Sequence, residues 1–171
     1  MNAEQRRNQL LSCLEQSKEA VSATTLAREF AVSRQVIVGD VAILRAAGNE
    51  IEATPRGYVM RNVRENGGVI RKIASIHDDS RMAQELMICV DHGCTVIDVI
   101  VEHPVYGQLV GLLDLSSRYD VDQFIQTVKK QSAHALSELT DGIHLHTLKC
   151  KDEETFNRVE EALKEAGLLF R

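Results

Sequence analysis

Along the first sixty residues the apolar positions recur at helical spacing. Leu10, Leu11 and Leu14 fall on one side of a helix that Asn2 can cap, with Cys13 alongside. Ser22 can cap a second, short helix whose apolar face is Leu26, Ala27 and Phe30. Ala31-Val32-Ser33 leaves room only for a tight turn. Ser33 then suits the cap of a third helix, 34–47, which Gly48 ends. Ile37, Val41 and Leu44 stand at i, i+4 and i+7 there, a core-facing stripe. Residues 50–53 and 57–60 read as two short strands around Thr54-Pro55-Arg56, a hairpin with a basic tip.

The pattern changes after residue 68. Residues 69–76 read as a strand, and 80–91 as a helix with Met82, Leu86 and Val90 on one face. Residues 94–102 are almost continuously apolar and rich in Val and Ile, as in a central strand. His103-Pro104 breaks that run, and 106–113 can pair back with it as a hairpin. Residues 121–132 are helical with Val121, Phe124, Ile125 and Val128 inward. A strand at 143–150 and an amphipathic helix at 153–166, ended by Gly167, follow, and 168–170 can add a last short strand. The expected fold is therefore α+β. A winged helix-turn-helix comes first, and a ferredoxin-like, split β-α-β-β-α-β sandwich with an extra helix comes second. An antiparallel sheet with helices on one face leaves its other face for a ligand or a twin subunit.

Charge divides the chain at the same place. Residues 1–62 carry a balance of +1 and residues 63–171 a balance of −6, together the chain's −5. Five of the six histidines lie beyond residue 90, and the sixth is His77. Two modules are expected, a winged helix-turn-helix domain at 1–62 and a second, histidine-bearing domain at 67–171. The polar stretch 62–68, ending in Gly67-Gly68, is the linker between them. A net negative charge excludes coating of nucleic acid by bulk charge but leaves room for a small local DNA surface. The longest strongly apolar stretch, 94–101, is too short to span a membrane and contains Asp98. The N-terminus has no apolar segment of signal-peptide type, so a cytoplasmic protein without membrane contact is expected. Cys13, Cys89, Cys94 and Cys150 show no CxxC spacing, and small buried thiols are their expected role.

A short helix and tight turn let the next helix project its N-terminal end into the major groove. Ser33 can offer a backbone N–H and a hydroxyl to a phosphate, and Arg34 and Gln35 can reach phosphates or base edges. With 37, 41 and 44 inward, Gln35, Val38, Gly39 and Ala42 occupy the opposite face. Val38 suits a thymine methyl group, and Gly39 allows close approach of DNA, although it costs the helix about 1 kcal/mol. Arg45 and Arg56 can meet the phosphate backbone, and Arg56 can also enter the minor groove. A small helical protein-interaction module is the alternative. The segment LAREFAVSRQVIVGDVAILRAAG, with Leu26, Ala27, Val32, Ser33, Arg34, Asp40, Leu44, Arg45 and Gly48 in register, favours DNA. It resembles the helix-turn-helix of small bacterial repressors with a deoxyribose-operon or biotin-repressor type of winged helix.

His144 and His146, two apart on a predicted strand, point to one face, as a metal-binding pair would. Alternating His can equally mark a solvated face. His77 closes the first strand. Glu85, eight residues on, can be turned beside it, although it also reads as an ordinary helix-surface residue. Three imidazoles and a carboxylate would suit Zn, Ni, Co or Fe(II) better than Mg or Ca. His92 reads as a helix-end residue and His134 as a surface or cap residue. His103, beside Pro104 and Tyr106, suits either loop packing or a ligand pocket.

The segments HDDSRMAQELMICVDHG, VIVEHPVYGQLVGLLDLSSRYDVDQFI and LTDGIHLHTLKC resemble the three-histidine, or 3H, domain of bacterial niacin-responsive transcriptional repressors. The resemblance implies a homodimeric repressor of NAD biosynthesis or niacin uptake genes. Its partners would be double-stranded operator DNA and, as co-repressor, nicotinic acid or a related pyridine carboxylate. The family's metal site, nickel in a structural example, maps onto His77, Glu85, His144 and His146. His103 and Tyr106 are weaker candidates for effector binding. Gln108 departs from the glutamate that follows Tyr-Gly in the family pattern. No catalytic residue is expected. Two rivals are a repressor that senses the metal itself and a metal-dependent hydrolase fused to a DNA-binding domain. The hydrolase would rest on the His/Glu cluster with Asp78, Asp79 and Asp98, but no glycine-rich phosphate loop, HExxH or nucleophile-elbow Ser accompanies them.

Overall fold

A computed structural model describes residues 2–60 and 67–170. The chain divides into two compact units, residues 1–64 and 65–171. Of the stretch read as a linker, residues 62–66 lie outside the described residues.

The N-terminal unit contains α1 (Ala3–Gln16), α2 (Ala23–Glu29), α3 (Arg34–Ala46) and a hairpin of β1 (Ile51–Thr54) and β2 (Gly57–Met60). Each helix begins where a side chain satisfies its free amide groups. Asn2 and Gln5 form a reciprocal capping box, Ser22 accepts from the Thr25 amide, and Ser33 accepts from the Val36 amide. Leu10, Leu14, Leu26, Ile37 and Val41 meet in one core with Ile51 and Tyr58 of the hairpin. Ala31, at φ 53, makes the turn between α2 and α3. Val21 exchanges two backbone hydrogen bonds with Tyr58, at 2.8 and 2.9 Å. That close approach requires Gly57, at φ +139, because a Cβ there would strike the Val21 carbonyl.

The C-terminal unit runs β3 (Val69–Ile76), a 3₁₀ turn (Asp79–Arg81), α4 (Met82–Asp91), β4 (Thr95–His103) and β5 (Gly107–Leu115). It continues through α5 (Arg118–Lys130), a second 3₁₀ turn (Leu136–Thr140), β6 (Ile143–Cys150) and α6 (Glu153–Glu165). This is the expected β-α-β-β-α-β sandwich with one further helix. The antiparallel sheet has the order β3-β6-β4-β5, so each helical crossover passes over an intervening strand. Ile73, Val96, Leu115 and Leu148 form the sheet's buried face against Leu86 of α4, Val121 of α5 and Phe156, Val159 and Leu163 of α6. Ile70 and Val110 stand exposed on the other face.

Several details differ from the pattern reading. Helix α5 begins three residues earlier than its first apolar residue, because Ser117 caps it through the Asp120 amide. The 3₁₀ turn at Leu136–Thr140 has too few residues for a hydrophobic period. Among the described residues the C-terminal tail makes a single bridge, Leu169 to Ser75, in place of a strand. The cysteine expectation needs correction. Cys13 and Cys89 are free, but Cys94 and Cys150 form a disulfide with their Cα atoms 4.5 Å apart. Cys94 directly precedes β4, which lies beside β6 in the sheet, although the two cysteines are 56 apart in sequence, a proximity that spacing alone does not reveal.

Candidate metal centre and DNA-binding surface

Three histidines and one carboxylate meet inside the C-terminal unit. His144 and His146 alternate along β6 and both turn toward the helices, with ring centroids 4.8 Å apart. His77 follows β3 and reaches them because Gly142 permits the start of β6 to pass close. A Cβ at Gly142 (φ +89) would strike the His77 carbonyl. Glu85 is fully buried on the inner side of α4. Its Oε2 hydrogen-bonds His77 Nε2, lies 3.0 Å from His144 Nε2 and lies 3.3 Å from His146 Nε2. Its Oε1 has no hydrogen-bond partner among the described residues.

The other face of each ring is held by the backbone. His77 Nδ1 donates to the Asp78 carbonyl at 2.7 Å, His144 Nδ1 to the Gly142 carbonyl at 2.9 Å and His146 Nδ1 to the Asp98 carbonyl at 2.7 Å. A carbonyl only accepts, so each Nδ1 carries a proton, and each Nε2 faces Glu85 as a lone pair when the ring is neutral and as an N–H donor when the ring is charged. With the rings neutral, three lone pairs and a carboxylate face one another, an arrangement that calls for positive charge between them, as added protons or as a metal ion. The coordinating atoms of His77, Glu85 and His144 lie within 4.8 Å of one another, and the cluster is capable of coordinating a metal ion.

The electrostatics agree. Burial alone would raise the Glu85 carboxyl, but the three imidazoles, His146 foremost, outweigh it and hold Glu85 far below the carboxylate range. Burial likewise opposes charge on His77 and His146. The hydrogen bond and charge of Glu85 outweigh it and lift both rings above their ordinary values. Burial pushes the neighbouring Cys89 thiol well up, which keeps it protonated. A cavity of about 240 Å³ opens onto His77 between Asp78, Asp79, Glu138 and Asp141. Its carboxylate walls favour the approach of cations.

The remaining histidines do other work. His92 Nδ1 bonds the Ile88 carbonyl at the end of α4, as its position suggested. His103 Nδ1 accepts from the amides of Val105 and Tyr106, at 3.1 and 3.3 Å, and so shapes the β4–β5 turn. Tyr106 is 75% exposed, and neither residue lines the cavity beside His77. The structure thus does not bring these two effector candidates to the cluster. His134 pairs at the surface with Glu138 at 2.9 Å, with Asp79 nearby.

On α3, Arg34, Gln35 and Gly39 are exposed and Val38 is half-buried. Nothing would meet a Cβ at Gly39 within 4 Å, so this part of the helix is open to a close-fitting partner. Ser33 Oγ serves as the helix cap, which leaves α3 starting at an exposed end. Arg45, exposed near the end of α3, also has structural contacts. Its Nε donates to the Ile51 carbonyl at 2.7 Å and its guanidinium lies over the Tyr58 ring, fastening α3 to the hairpin. Arg56 sits exposed at the hairpin tip, with its amide bonded to Thr54 Oγ1. Sequence reasoning missed the role of Asp40. This buried residue of α3 receives Arg6 Nε at 2.6 Å and Nη2 at 3.2 Å, clamping α3 to α1. It also missed Ile43, an apolar residue 51% exposed on α3.

A winged helix-turn-helix followed by a sandwich with a buried histidine–carboxylate cluster defines a DNA-binding protein with a separate domain capable of coordinating a metal ion. The 3H domain matches residues 70–171 and an HTH domain matches residues 6–59. The chain belongs to the 3H-domain family. It is 43% identical over 166 residues to the probable transcription repressor NiaR of Thermotoga maritima, covering 97% of this chain and 94% of that protein. It is 42% identical over 168 residues to the transcription repressor NadR of Bacillus subtilis, covering 97% and 93%. Among the described residues, no helix is long and apolar enough to cross a membrane.

Proposed function

We propose that this protein is a non-enzymatic, homodimeric transcription repressor of NAD biosynthesis or niacin uptake genes. It acts in the cytoplasm on operator DNA, with nicotinic acid or a related pyridine carboxylate as co-repressor. The observation that carries this reading is the inward convergence of three Nε2 atoms on Glu85, in a domain joined to a winged helix. Near full-length similarity to two repressors supports it. His77, Glu85, His144 and His146 hold a divalent transition metal, nickel by resemblance, with zinc or iron also suited to the donor set. Such an ion supplies positive charge to an otherwise carboxylate-lined site, which an anionic effector requires. Arg34, Gln35, Val38 and Gly39 present the reading face, Ser33 sets the start of α3, and Arg45 and Arg56 set and extend the wing. Dimerisation through the C-terminal domain places two recognition helices about one DNA turn, roughly 34 Å, apart.

The effector shifts operator affinity only as far as it binds one conformation better than the other. The decisive measurement is operator binding by fluorescence anisotropy, using metal-analysed protein and a palindromic promoter site with and without nicotinate. Tighter binding with nicotinate, seen only when metal is present, is expected. Equal affinity in both conditions refutes co-repression. The cation-favouring cavity supports one second reading, in which the metal is itself the signal. Affinity that tracks metal concentration without any organic ligand would select it.

A further inference from the structure

The three ring-orienting contacts are not equivalent. His77 bonds the carbonyl of the next residue, and His144 bonds the carbonyl two residues before it, so both acceptors come with the local chain. His146 takes its acceptor from another strand, the Asp98 carbonyl of β4, 48 positions away in sequence. In a regular antiparallel ladder that carbonyl would be occupied by an amide of the facing strand. The partner of Asp98 is Thr147, the neighbour of His146.

The structure diverts this competitor. The Thr147 amide donates at 3.0 Å to the Asp98 side chain, at Oδ1, while the Asp98 carbonyl faces His146. The ladder changes register at this point, between Val96 and Asp98, against both neighbouring strands. Such a bulge re-aims a backbone group that regular pairing would hold in the sheet plane. We infer that Asp98 is a positioning residue for His146. Its carboxylate replaces its own carbonyl as partner of Thr147, and the freed carbonyl fixes the His146 proton on Nδ1 and the lone pair on Nε2. The inference rests on the reading of His146 as a metal ligand only for its consequence. The orientation itself belongs to the metal-free protein.

The test is ¹⁵N NMR of the His146 ring in the metal-free protein, in alkaline solution where the imidazole is neutral. Metal affinity is measured separately by chelator competition. The parent protein is expected to show the Nδ1–H tautomer. Asp98→Asn, whose amide oxygen still accepts from Thr147, keeps both tautomer and affinity. Asp98→Ala returns the Thr147 amide to the carbonyl, shifts His146 toward Nε2–H and lowers metal affinity about 10- to 100-fold. An Nε2–H tautomer in the parent, an unchanged tautomer in Asp98→Ala, or an Asp98→Asn variant that loses the Nδ1–H form overturns the inference. Should Asp98→Ala fail to fold, the parent and Asp98→Asn spectra decide it. A parent that shows the expected tautomer but binds no metal overturns the metal reading and leaves the positioning role intact.

Discussion

The buried carboxylates Asp40 of the N-terminal unit and Glu85 of the C-terminal unit are neutralised in opposite ways. Asp40 is 4% exposed and faces the guanidinium of Arg6 at 2.6 Å, with Arg7 at 3.7 Å. Glu85 is 0% exposed, and its neighbours are three imidazoles. Arginine is charged at every ordinary pH, so the cation beside Asp40 is part of the chain. Histidine is charged only with a proton added, so the positive charge beside Glu85 comes from solution. The first carboxylate fastens a helix. The second makes its surroundings sensitive to what the solution contains, which is what a sensing domain needs.

The largest effect expected from breaking this contrast is loss of the ion. His144→Ala with His146→Ala should abolish stoichiometric metal binding and the response to nicotinate, while circular dichroism shows the fold retained. Unchanged metal content would refute the four-residue site. In the other unit, Arg34→Ala or Gln35→Ala should weaken operator binding by about 1–3 kcal/mol, with metal content untouched. If Arg34 meets a phosphate, its loss should also lower the salt dependence of binding.

Acidity should act on the Glu85 cluster as well. The raised pKa values of His77 and His146 give the metal-free protein stability that is complete below about pH 6.5 and lost as pH rises through the raised values. The depressed Glu85 gives stability that is present above about pH 4.3 and lost only as pH falls toward its low value. The metal-free melting temperature should therefore decline as the solution turns alkaline, while metal affinity should fall as it turns acid. A metal-free protein that becomes more stable on passing from mildly acid to alkaline solution contradicts this. At the small end, Ser33→Ala should cost about 1 kcal/mol through the lost α3 cap. His134→Ala, at the exposed group beside Glu138, should leave the metal content unchanged.

What could be read from the sequence was what local periodicity controls. The caps Asn2, Ser22 and Ser33, the stripe Ile37-Val41-Leu44 and the strands β3 and β6 stand where pattern placed them. His144 and His146 share a face because strands repeat every two residues. The contacts that complete each site join distant segments and leave no period. Arg6 meets Asp40 across 34 residues, and His146 meets the Asp98 carbonyl across 48. A bulge that turns one carbonyl has no hydrophobic signature at all. The neighbours of His103 suited loop packing and a ligand pocket equally, and the contact of its Nδ1 with the turn amides of Val105 and Tyr106 has no period in the sequence.

The sheet order also bears on how the chain is made. Strand β6 is near the C-terminus, yet it lies between β3 and β4 and pairs with both. Until residues 143–150 have left the ribosome, β3 has no strand partner and the imidazoles of His144 and His146 are missing. The winged helix, complete by residue 60, can fold well before that. A nascent or truncated chain that stops short of residue 143 would thus carry a folded winged helix without a complete histidine–carboxylate cluster, which forms only once β6 has emerged.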